Sequence, residues 1–300
     1  MEARTLRIVV TGASGFIGRR LAAAARYRSF DVVALVREGG YPVSPIPGVT
    51  VLDWEIGMPL PVDGDVICHL ASYIPPDFSD PAHAEKCFHT NTLGTLRLAE
   101  AAKERGFTRF VFVSSGQIYA AEQGLADEDA AIRPTEHAGY YLTSKLAAEF
   151  CLQYFCRTHD LPLTIIRPSS VYGPGMRGAG IIPTLVERLS KGLPVSVTHG
   201  GAHRADFVHV DDVVSAVLAA IERQAGGVFN AGSGEGRTVL ELATILADAL
   251  HQDPGLIRIE GVPSPGGFAA LDISKARRVL GYDPIDLQAG IHQWVVERER

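Results

Sequence analysis

Residues 7–18 read RIVVTGASGFIG, a stretch that joins a strand signal to a turn and to the start of a helix. The apolar, β-branched run Arg7–Thr11 predicts a buried strand. Gly12, Gly15 and Gly18 follow it, and an amphipathic pattern begins at Phe16. Glycines permit a tight turn and let backbone N–H groups approach a pyrophosphate at a helix N-terminus. The stretch therefore predicts a dinucleotide-binding β–turn–α unit, with a plain strand–turn–helix connection as the alternative reading.

Beyond this unit, short β-branched runs alternate with longer amphipathic stretches. Nearly continuous apolar strands separated by helices are typical of a parallel sheet covered on both faces. We therefore predict an α/β fold with a Rossmann-type, doubly wound parallel sheet. The predicted strands are Arg7–Thr11, Val32–Val36, Val51–Asp53, Val66–His69, Phe110–Val113 and Leu163–Ile166. The predicted helices include Phe16–Arg26, Glu85–Arg105, Tyr141–Thr158 and Thr184–Lys191.

The character of the chain changes after Pro174, where residues 173–183 read GPGMRGAGIIP and are rich in glycine and proline. Strand and helix signals are mixed in the remainder. We predict a nucleotide-binding Rossmann domain over residues 1–175, to which residues 207–231 return. A smaller C-terminal α/β domain, formed by residues 176–206 and 232–300, is predicted to bind the substrate.

The composition excludes several classes of protein. With 46% hydrophobic and 21% charged residues, the chain is of the core-forming, globular kind. A net charge of -6 without a basic run argues against nucleic acid as a partner. No apolar stretch approaches the roughly 20 residues that span a bilayer. The N-terminus runs directly into the first strand, so we expect no signal peptide and a cytoplasmic protein.

The cysteines and histidines do not have the spacing of a metal site. Cys68, Cys87, Cys151 and Cys156 contain no CxxC pair, and the ten histidines form no ligand pattern. We expect reduced, structural cysteines and no bound metal.

Residues 137–149, HAGYYLTSKLAAE, place two adjacent tyrosines before a lysine. Residues four apart lie on one face of a helix, and Tyr141 and Lys145 have that spacing, whereas Tyr140 is one position off. An ammonium group one turn away favours the phenolate, so the pair could exchange a proton near neutral pH. An ordinary surface helix is the alternative.

A resemblance to a known family favours a catalytic pair over an ordinary surface helix. The segments TGASGFIG, DVICHLAS, NTLGTLRLAEAA, RFVFVSSGQIYA, YYLTSK, IIRPSSVYGPG, DFVHVDDV and LDISKARRVLGY resemble blocks of one family, in that family's order. Over essentially its whole length the chain is similar to the extended short-chain dehydrogenases/reductases of the sugar-nucleotide epimerase/dehydratase family.

The resemblance implies a catalytic triad of Ser115, Tyr141 and Lys145. In the family, the tyrosine exchanges a proton with a substrate hydroxyl or carbonyl. The lysine lowers the tyrosine's pKa and holds the nicotinamide ribose, and the serine hydrogen-bonds the reacting oxygen. A hydride leaves a carbinol carbon only as its O–H proton is taken, so these roles are physically consistent.

The resemblance also implies which residues bind the cofactor and substrate. The expected cofactor contacts are Gly12, Ser14, Gly15, Phe16, Ile17, Gly18, Arg37, Asp53, Trp54, Leu70, Ala71, Ser72, Asn91, Tyr141, Lys145, Pro168 and Ser170. The expected substrate contacts are Ser115, Gln117, Tyr172 and Arg204.

The end of the second predicted strand bears on the choice of nicotinamide. NAD-binding relatives carry an acidic residue there, which accepts hydrogen bonds from the ribose 2′-hydroxyl. This chain has Val36 followed by Arg37, and a guanidinium pairs well with a 2′-phosphate. We expect NAD(P) as the cofactor and favour NADP over NAD.

The residues after Ser115 bear on the reaction. Relatives that eliminate water or carbon dioxide carry an acidic residue shortly after the catalytic serine or threonine, where this chain has Gly116 and Gln117. An amide cannot act as a general acid or base. Epimerisation at C4 and reduction of a 4-keto group remain open, and the sequence does not separate them.

Two departures from the family pattern concern the substrate. Ser170 stands where many sugar-nucleotide enzymes have asparagine, and Ala205 replaces an arginine that often contacts the pyrophosphate. Arg204, one residue earlier, is a candidate substitute. The expected partner is a nucleotide-sugar, and the resemblance further suggests a homodimer built from the helices Glu85–Arg105 and Tyr141–Thr158. An NADPH-dependent reductase of a non-sugar aldehyde or ketone, and an NADP-sensing regulator without turnover, are the alternatives.

Overall fold

The computed structural model describes residues 5–39, 46–120, 124–133, 138–176, 178, 180–264, 266–268 and 270–298. Its strands, in chain order, are β1 (Arg7–Thr11), β2 (Asp31–Val36), β3 (Val49–Asp53), β4 (Val66–His69), β5 (Arg109–Val113), β6 (Leu125–Ala126), β7 (Leu163–Pro168), β8 (Ser170–Tyr172), β9 (Val195–Val197), β10 (His203–His209), β11 (Gly227–Ala231), β12 (Gly236–Thr238), β13 (Ile257–Ile259), β14 (Gly266–Gly267) and β15 (Ala270–Leu271). Its α-helices are α1 (Phe16–Tyr27), α2 (Ala84–Cys87), α3 (Thr95–Glu104), α4 (Gly139–Thr158), α5 (Ile181–Ser190), α6 (Val210–Glu222), α7 (Val239–Ala249), α8 (Ser274–Leu280) and α9 (Leu287–Arg298).

A seven-stranded sheet in the order β11-β7-β5-β4-β1-β2-β3 forms the centre of the fold. All its strand pairs are parallel. The predicted doubly wound sheet is therefore confirmed, and the predicted strands differ from the observed ones mainly at their ends. β3 begins at Val49 rather than Val51, and β7 continues to Pro168 because Ala231 pairs with that residue.

Helices cover both faces of this sheet, as alternation along each strand requires. In β1, Ile8 and Val10 pack in a core with α1, α6 and α8, whereas Val9 packs in a second core with α3 and α4. Both faces are apolar, which explains why the strands read as continuous hydrophobic runs.

The second part of the chain forms a smaller body around β10. This strand pairs with β8, β12 and β14, while β9 and β13 form a separate pair. Helices α5, α7 and α9 contribute to its apolar core, which includes Leu185, Leu246 and Trp294.

The return of the later chain to the large sheet begins after β10. Residues Phe207–His209 pair with Ser170–Tyr172 in the smaller body, so they do not belong to the large sheet. Helix α6 then packs against α1, and β11 pairs with β7 at the sheet edge. The boundary predicted at residue 207 therefore lies too early, because β10 is one continuous strand.

The predicted helix Glu85–Arg105 is not a single α-helix. Between α2 and α3 lies a π-helical segment, Phe88–Gly94. Each π turn takes up more residues than an α turn, and such segments often occur at functional sites. Asn91 lies in the middle of this segment and is 1% exposed.

A buried ion pair joins α4 to β7. Arg167 donates from Nη2 to Glu149 Oε2 at 2.6 Å, and the two side chains are 5% and 0% exposed. Arg167 also donates from Nη1 to the Tyr119 hydroxyl at 2.6 Å and to the Glu128 carbonyl at 3.1 Å. Burial opposes the charged guanidinium, but these partners raise the pKa of Arg167 above its ordinary value.

All four cysteines are free, and three of them are buried. Over the described residues, the structure contains no helix with the length and apolar character needed to cross a membrane.

Candidate active site

The candidate site lies at the carboxyl ends of β1, β4, β5 and β7. The strand order reverses between β1 and β4, and ligands of open α/β sheets bind in the crevice that opens at this point. The predicted residues from four separate parts of the chain therefore meet at one edge of the sheet.

The turn between β1 and α1 has no room for a side chain at two of its glycines. Gly12 has φ +67°, a conformation that glycine tolerates best, and a Cβ placed there would lie 2.6 Å from the Ala71 backbone nitrogen. A Cβ on Gly18 would collide with the Gly12 carbonyl oxygen. The first turn of α1 begins at Phe16 and has no side-chain cap. Its N–H groups and positive dipole end fit the diphosphate of a dinucleotide.

We expect Gly12→Ala to abolish tight nucleotide binding and to destabilise the fold, because alanine meets both backbone strain and the Ala71 backbone. Left-handed backbone alone costs about 1–2 kcal/mol. Gly106→Ala is the matched control, since Gly106 has φ +77° with open space around its Cβ position. Isothermal titration and chemical denaturation of both variants check this. Equal losses in the two variants would contradict the close approach at Gly12.

Around this turn, a buried chain of hydrogen bonds fixes the end of β4. The Ala71 N–H donates to Thr11 Oγ1 at 3.2 Å, and Thr11 Oγ1 lies 2.7 Å from His69 Nδ1. On the other side, His69 Nε2 lies 2.8 Å from Thr95 Oγ1, which donates to the Asn91 carbonyl. Since Thr95 gives its proton to Asn91, His69 must donate from Nε2 and accept at Nδ1.

His69 is therefore a neutral, fully buried imidazole. Burial lowers the pKa of His69 to about 3, and the nearby Lys145 ammonium adds to this lowering. The ring lies between the glycine turn and the π-helical segment, so it holds two parts of the site in register.

Asn91 forms hydrogen bonds with Tyr73 and Ser144. Its Oδ1 accepts from the Tyr73 N–H at 2.7 Å, and its Nδ2 donates to the Tyr73 carbonyl and to Ser144 Oγ, both at 3.0 Å. Asn91 thus anchors the chain after β4 to the helix α4, and its role as a cofactor contact stays a prediction.

Tyr141 and Lys145 both lie on α4, as the spacing predicts. The Lys145 ammonium donates to the Val113 carbonyl at 2.8 Å and lies 4.1 Å from the centroid of the Phe112 ring. Burial lowers the pKa of Lys145 to about 7, although the Glu149 carboxylate counters this in part. An amine with this pKa titrates near neutrality.

The expected lowering of the Tyr141 pKa is not found in this structure. Burial raises the pKa of Tyr141, while a hydrogen bond with the Ser72 side chain acts in the opposite direction. The physical reason for the difference is burial, and the Lys145 ammonium group is directed to the Val113 carbonyl at the end of β5. The Tyr141 ring makes an edge contact with Phe78, with centroids 5.9 Å apart.

Ser115 begins the short 3₁₀ turn Gly116–Ile118 at the end of β5, and this turn packs against α4. The Ser115 hydroxyl accepts from the Gln117 N–H at 3.2 Å, and Gln117 Nε2 donates to Ser170 Oγ at 3.3 Å. The neighbouring Ser114 hydroxyl is buried and has no hydrogen-bond partner among the residues that the structure describes. The sequence analysis did not select Ser114, although its position directly after an apolar strand indicates that it is buried.

The other expected cofactor residues fall into two groups. Arg37 and Asp53 are exposed at neighbouring strand ends, because Val36 pairs with Asp53 in the sheet. Trp54 is buried and donates from Nε1 to the Met58 carbonyl. The partly exposed members at the crevice are Ser14, Gly15, Phe16, Ile17, Leu70, Ala71, Ser72 and Ser170, and Pro168 is buried beside them.

Tyr172 lies away from the crevice. It is 0% exposed, packs edge-on against His209 at 5.3 Å, and a Cβ on Gly290 would collide with its hydroxyl. Its side chain is part of the core of the smaller body, and its role as a substrate contact stays a prediction.

Arg204 and Ala205 point to opposite faces of β10. Ala205 is buried in the core of the smaller body. Arg204 is exposed and donates to the Gly236 carbonyl. Because successive side chains on a strand point to opposite faces, the Arg204 side chain cannot lie on the face that an arginine at position 205 would occupy. It lies on the same face as Asp206.

Asp206 is a buried residue at the site that sequence reasoning missed. Its carboxylate accepts from Ser169 Oγ at 3.0 Å, from the Ser233 N–H at 2.7 Å and from the Leu271 N–H at 3.0 Å. It therefore joins the ends of β7 and β11 to β15 below the crevice. Within the described residues, no group of three or more histidine, cysteine, aspartate or glutamate side chains is arranged to hold a metal ion.

Comparison with known proteins places this geometry among characterised enzymes. The model of the NAD dependent epimerase/dehydratase family matches residues 8–232. A GDP-6-deoxy-D-mannose reductase from Pseudomonas aeruginosa is 33% identical over 293 residues, covering 92% of this chain and 88% of that protein. A UDP-glucose 4-epimerase from Mycolicibacterium smegmatis is 30% identical over 321 residues, with 97% of each chain covered.

Solved structures agree with the sequence comparison. MoeE5 in complex with UDP-glucose and NAD superposes with a TM-score of 0.83 at 28% identity, covering 98% of this chain and 99% of that one. That protein binds NAD, so it gives no support to a preference for NADP.

Proposed function

Because the chain belongs to the NAD dependent epimerase/dehydratase family, we propose that it transfers a hydride at C4 of a nucleotide-linked sugar. The reaction is either C4 epimerisation or reduction of a 4-keto group, with NAD(P) as the cofactor and Ser115, Tyr141 and Lys145 as catalytic residues. The names of its relatives, a GDP-6-deoxy-D-mannose reductase and a UDP-glucose 4-epimerase, fit both versions.

The residues around Gly116 argue against an elimination reaction. A Cβ at this position would lie 2.7 Å from Leu271 Cδ1 and 3.1 Å from the Pro168 carbonyl oxygen. Leu271 is fully buried, and its backbone is held by Asp206. A carboxylate side chain at position 116 would therefore require the buried Leu271 side chain to move. The next side chain, Gln117, is an amide held by Ser170 and cannot supply a proton for a leaving group.

The proposed mechanism uses Ser115, Tyr141 and Lys145. A nicotinamide cofactor held at the turn between β1 and α1 would supply or accept the hydride. Tyr141 gives its proton to the C4 oxygen as a carbonyl is reduced, or takes it as a carbinol is oxidised. Ser115 orients that oxygen by a hydrogen bond. Lys145, buried one turn away with a pKa of about 7, assists the return of the proton to the phenol.

The test is an assay of cofactor and product together. Freshly purified protein is denatured and the released nucleotide is identified by mass, and the native protein is incubated with UDP-glucose and with a nucleotide-linked 4-keto-6-deoxy sugar. Retained NAD with interconversion of UDP-glucose and UDP-galactose indicates epimerisation. Oxidation of one NAD(P)H per 4-keto sugar indicates reduction. Formation of a 4-keto-6-deoxy product from UDP-glucose would refute the argument from Gly116.

The choice between NADP and NAD rests on two exposed strand ends. Arg37 could pair with a 2′-phosphate, and Asp53 beside it could accept from ribose hydroxyls. We expect Arg37→Ala to weaken NADPH binding about 10–100-fold, since a hydrogen bond to a charged group contributes about 1.5–3 kcal/mol. NADH binding should be unchanged. Fluorescence titration checks this, with Asp53→Ala as the matched variant. If only Asp53→Ala has an effect, and on NADH, the NADP preference is wrong.

We also propose a homodimer formed by α3, α4 and the π-helical segment. Large apolar side chains are exposed on this surface, with Leu93, Phe150 and Tyr154 at 47%, 60% and 65%. We expect Phe150→Asp to yield a monomer in sedimentation experiments, because a charge would be buried at the interface. Tyr27→Asp, at a 91% exposed aromatic residue on α1, should leave the dimer intact. A dimer in both variants would place the interface elsewhere.

A further inference from the structure

The segment that follows β4, residues 72–80, lies against the proposed catalytic tyrosine at two points. At its start, the Ser72 side chain hydrogen-bonds the Tyr141 phenol. Near its end, the Phe78 ring meets the Tyr141 ring edge-on at 5.9 Å. The segment thus passes along the tyrosine from its hydroxyl to its ring.

This segment is held in one shape by contacts along its length. Asn91 binds both the N–H and the carbonyl of Tyr73. Asp77 accepts from the N–H and the hydroxyl of Ser79, and Asp80 accepts from the Ala82 N–H. Two consecutive prolines, at positions 75 and 76, restrict the backbone between them. Phe78 is therefore presented by a fixed loop.

The side chains that the segment leaves exposed are largely apolar. Phe78 is 37% exposed and Ile74 is 58% exposed. Exposed apolar patches of this kind mark binding surfaces.

Given C4 as the reacting carbon, a hexose has two neighbours that could face Phe78. C3 carries a hydroxyl, and C5 carries C6. An aromatic ring offers a hydroxyl no comparable hydrogen bond, and a desolvated hydroxyl without a partner is costly. The C5–C6 side of the sugar therefore suits the Phe78 ring, and a methyl group at C6 suits it best.

From this geometry we infer that Phe78 is a specificity-determining residue that selects a 6-deoxy sugar over sugars with a hydroxyl or carboxylate at C6. This inference rests on the proposed function, because it takes hydride transfer at C4 as given. The methyl group packs on Phe78, whereas a C6 hydroxyl loses a hydrogen-bond partner to water. A C6 carboxylate loses more, since burying a charge without a partner costs more than burying a hydroxyl.

The test uses three substrates that differ only at C6: UDP-6-deoxyglucose, UDP-glucose and UDP-glucuronate. For each, kcat/KM is measured for oxidation or epimerisation at C4. An apolar pocket distinguishes a methyl from a hydroxyl-bearing analogue by about 10–200-fold. We expect the unmodified protein to favour the 6-deoxy substrate within this range and to use the uronate least.

Three variants separate specificity from folding. Phe78→Ala should lower kcat/KM for the 6-deoxy substrate about 10-fold while changing that for UDP-glucose less than about 3-fold. Phe78→Leu, which keeps an apolar surface, should retain the preference, and Phe78→Asn should reduce or invert it. Cofactor affinity should be equal in all three variants.

The outcomes distinguish the two hypotheses. If the three sugars are used equally, or if Phe78→Ala lowers kcat/KM equally for all three, Phe78 is not the specificity residue although the proposed function stands. If the protein binds cofactor but oxidises none of the three sugars and reduces no 4-keto counterpart, the proposed function fails and the inference fails with it.

Discussion

Replacing Tyr141 with phenylalanine is expected to lower kcat about 10²–10⁴-fold, the usual contribution of a positioned proton donor or acceptor. The phenol is the group that Ser72 contacts at the crevice, and the substitution removes only its hydroxyl. The ring should keep its edge contact with Phe78, so the local packing should survive. Steady-state kinetics with the substrates named above, together with titration of the cofactor, measure the effect.

Tyr140→Phe is the matched control, because it removes the same atom from the adjacent residue, which is 40% exposed. It should leave kcat within about 2-fold of the unmodified protein, as surface substitutions away from special features usually do little. If the two variants were equally active, Tyr141 would not be the proton donor. Full retention of a nucleotide-dependent function by Tyr141→Phe, without turnover in either protein, would favour a sensor over an enzyme.

The second large effect concerns stability. Glu149→Gln should lower the free energy of unfolding by about 3–5 kcal/mol, because it leaves the Arg167 guanidinium buried without its counter-charge. Both side chains are almost completely buried, so solvent screens the pair little. Chemical denaturation monitored by circular dichroism gives the loss directly.

The double variant Glu149→Leu/Arg167→Met is the control that identifies the mechanism. Replacing a buried ion pair by apolar residues of similar volume is often neutral or stabilising. The double variant should therefore be more stable than Glu149→Gln, apart from the lost bonds of Arg167 to Tyr119 and Glu128. If the double variant were the less stable of the two, the cost would come from packing rather than from an unpaired charge.

The large sheet was predictable because its strands are buried on both faces. Such strands consist of apolar runs that stand out from the helices between them, as Ile8–Val10 and Phe110–Val113 do. Their ends were less accurate. β3 extends back to Val49 because it pairs along its whole length with β2, and pairing is a tertiary property that the residues at an exposed strand end do not reveal.

The candidate site was predictable where local geometry determines it. The glycines of the first turn and the four-residue spacing of Tyr141 and Lys145 are both read from adjacent positions. The burial of Tyr172 could not be predicted in this way, since it depends on how β8 pairs with β10 in the smaller body. The direction of the Lys145 ammonium group could not be predicted either, because it depends on the Val113 carbonyl, which lies on β5.

The ion pair between Arg167 and Glu149 left a signal that could have been used. An arginine within the otherwise apolar segment LTIIRP, and a glutamate on the largely apolar helix α4, are both unusual in buried elements. Two such charges of opposite sign indicate a pair, although their separation of 18 positions does not show that α4 and β7 pack together.

The π-helical segment Phe88–Gly94 makes the number of residues between α2 and α3 important for the geometry of the site. In an α-helix each residue turns the chain by about 100°, so adding or removing one residue rotates everything beyond it by that angle. Winding all of these residues into regular α-helix, with none removed, would rotate α2 relative to α3 and carry Cys87 away from Tyr141. It would also turn the Asn91 amide away from Tyr73 and Ser144. The wider π turn accommodates this rotation, so the number of residues in the segment and its π geometry are required together.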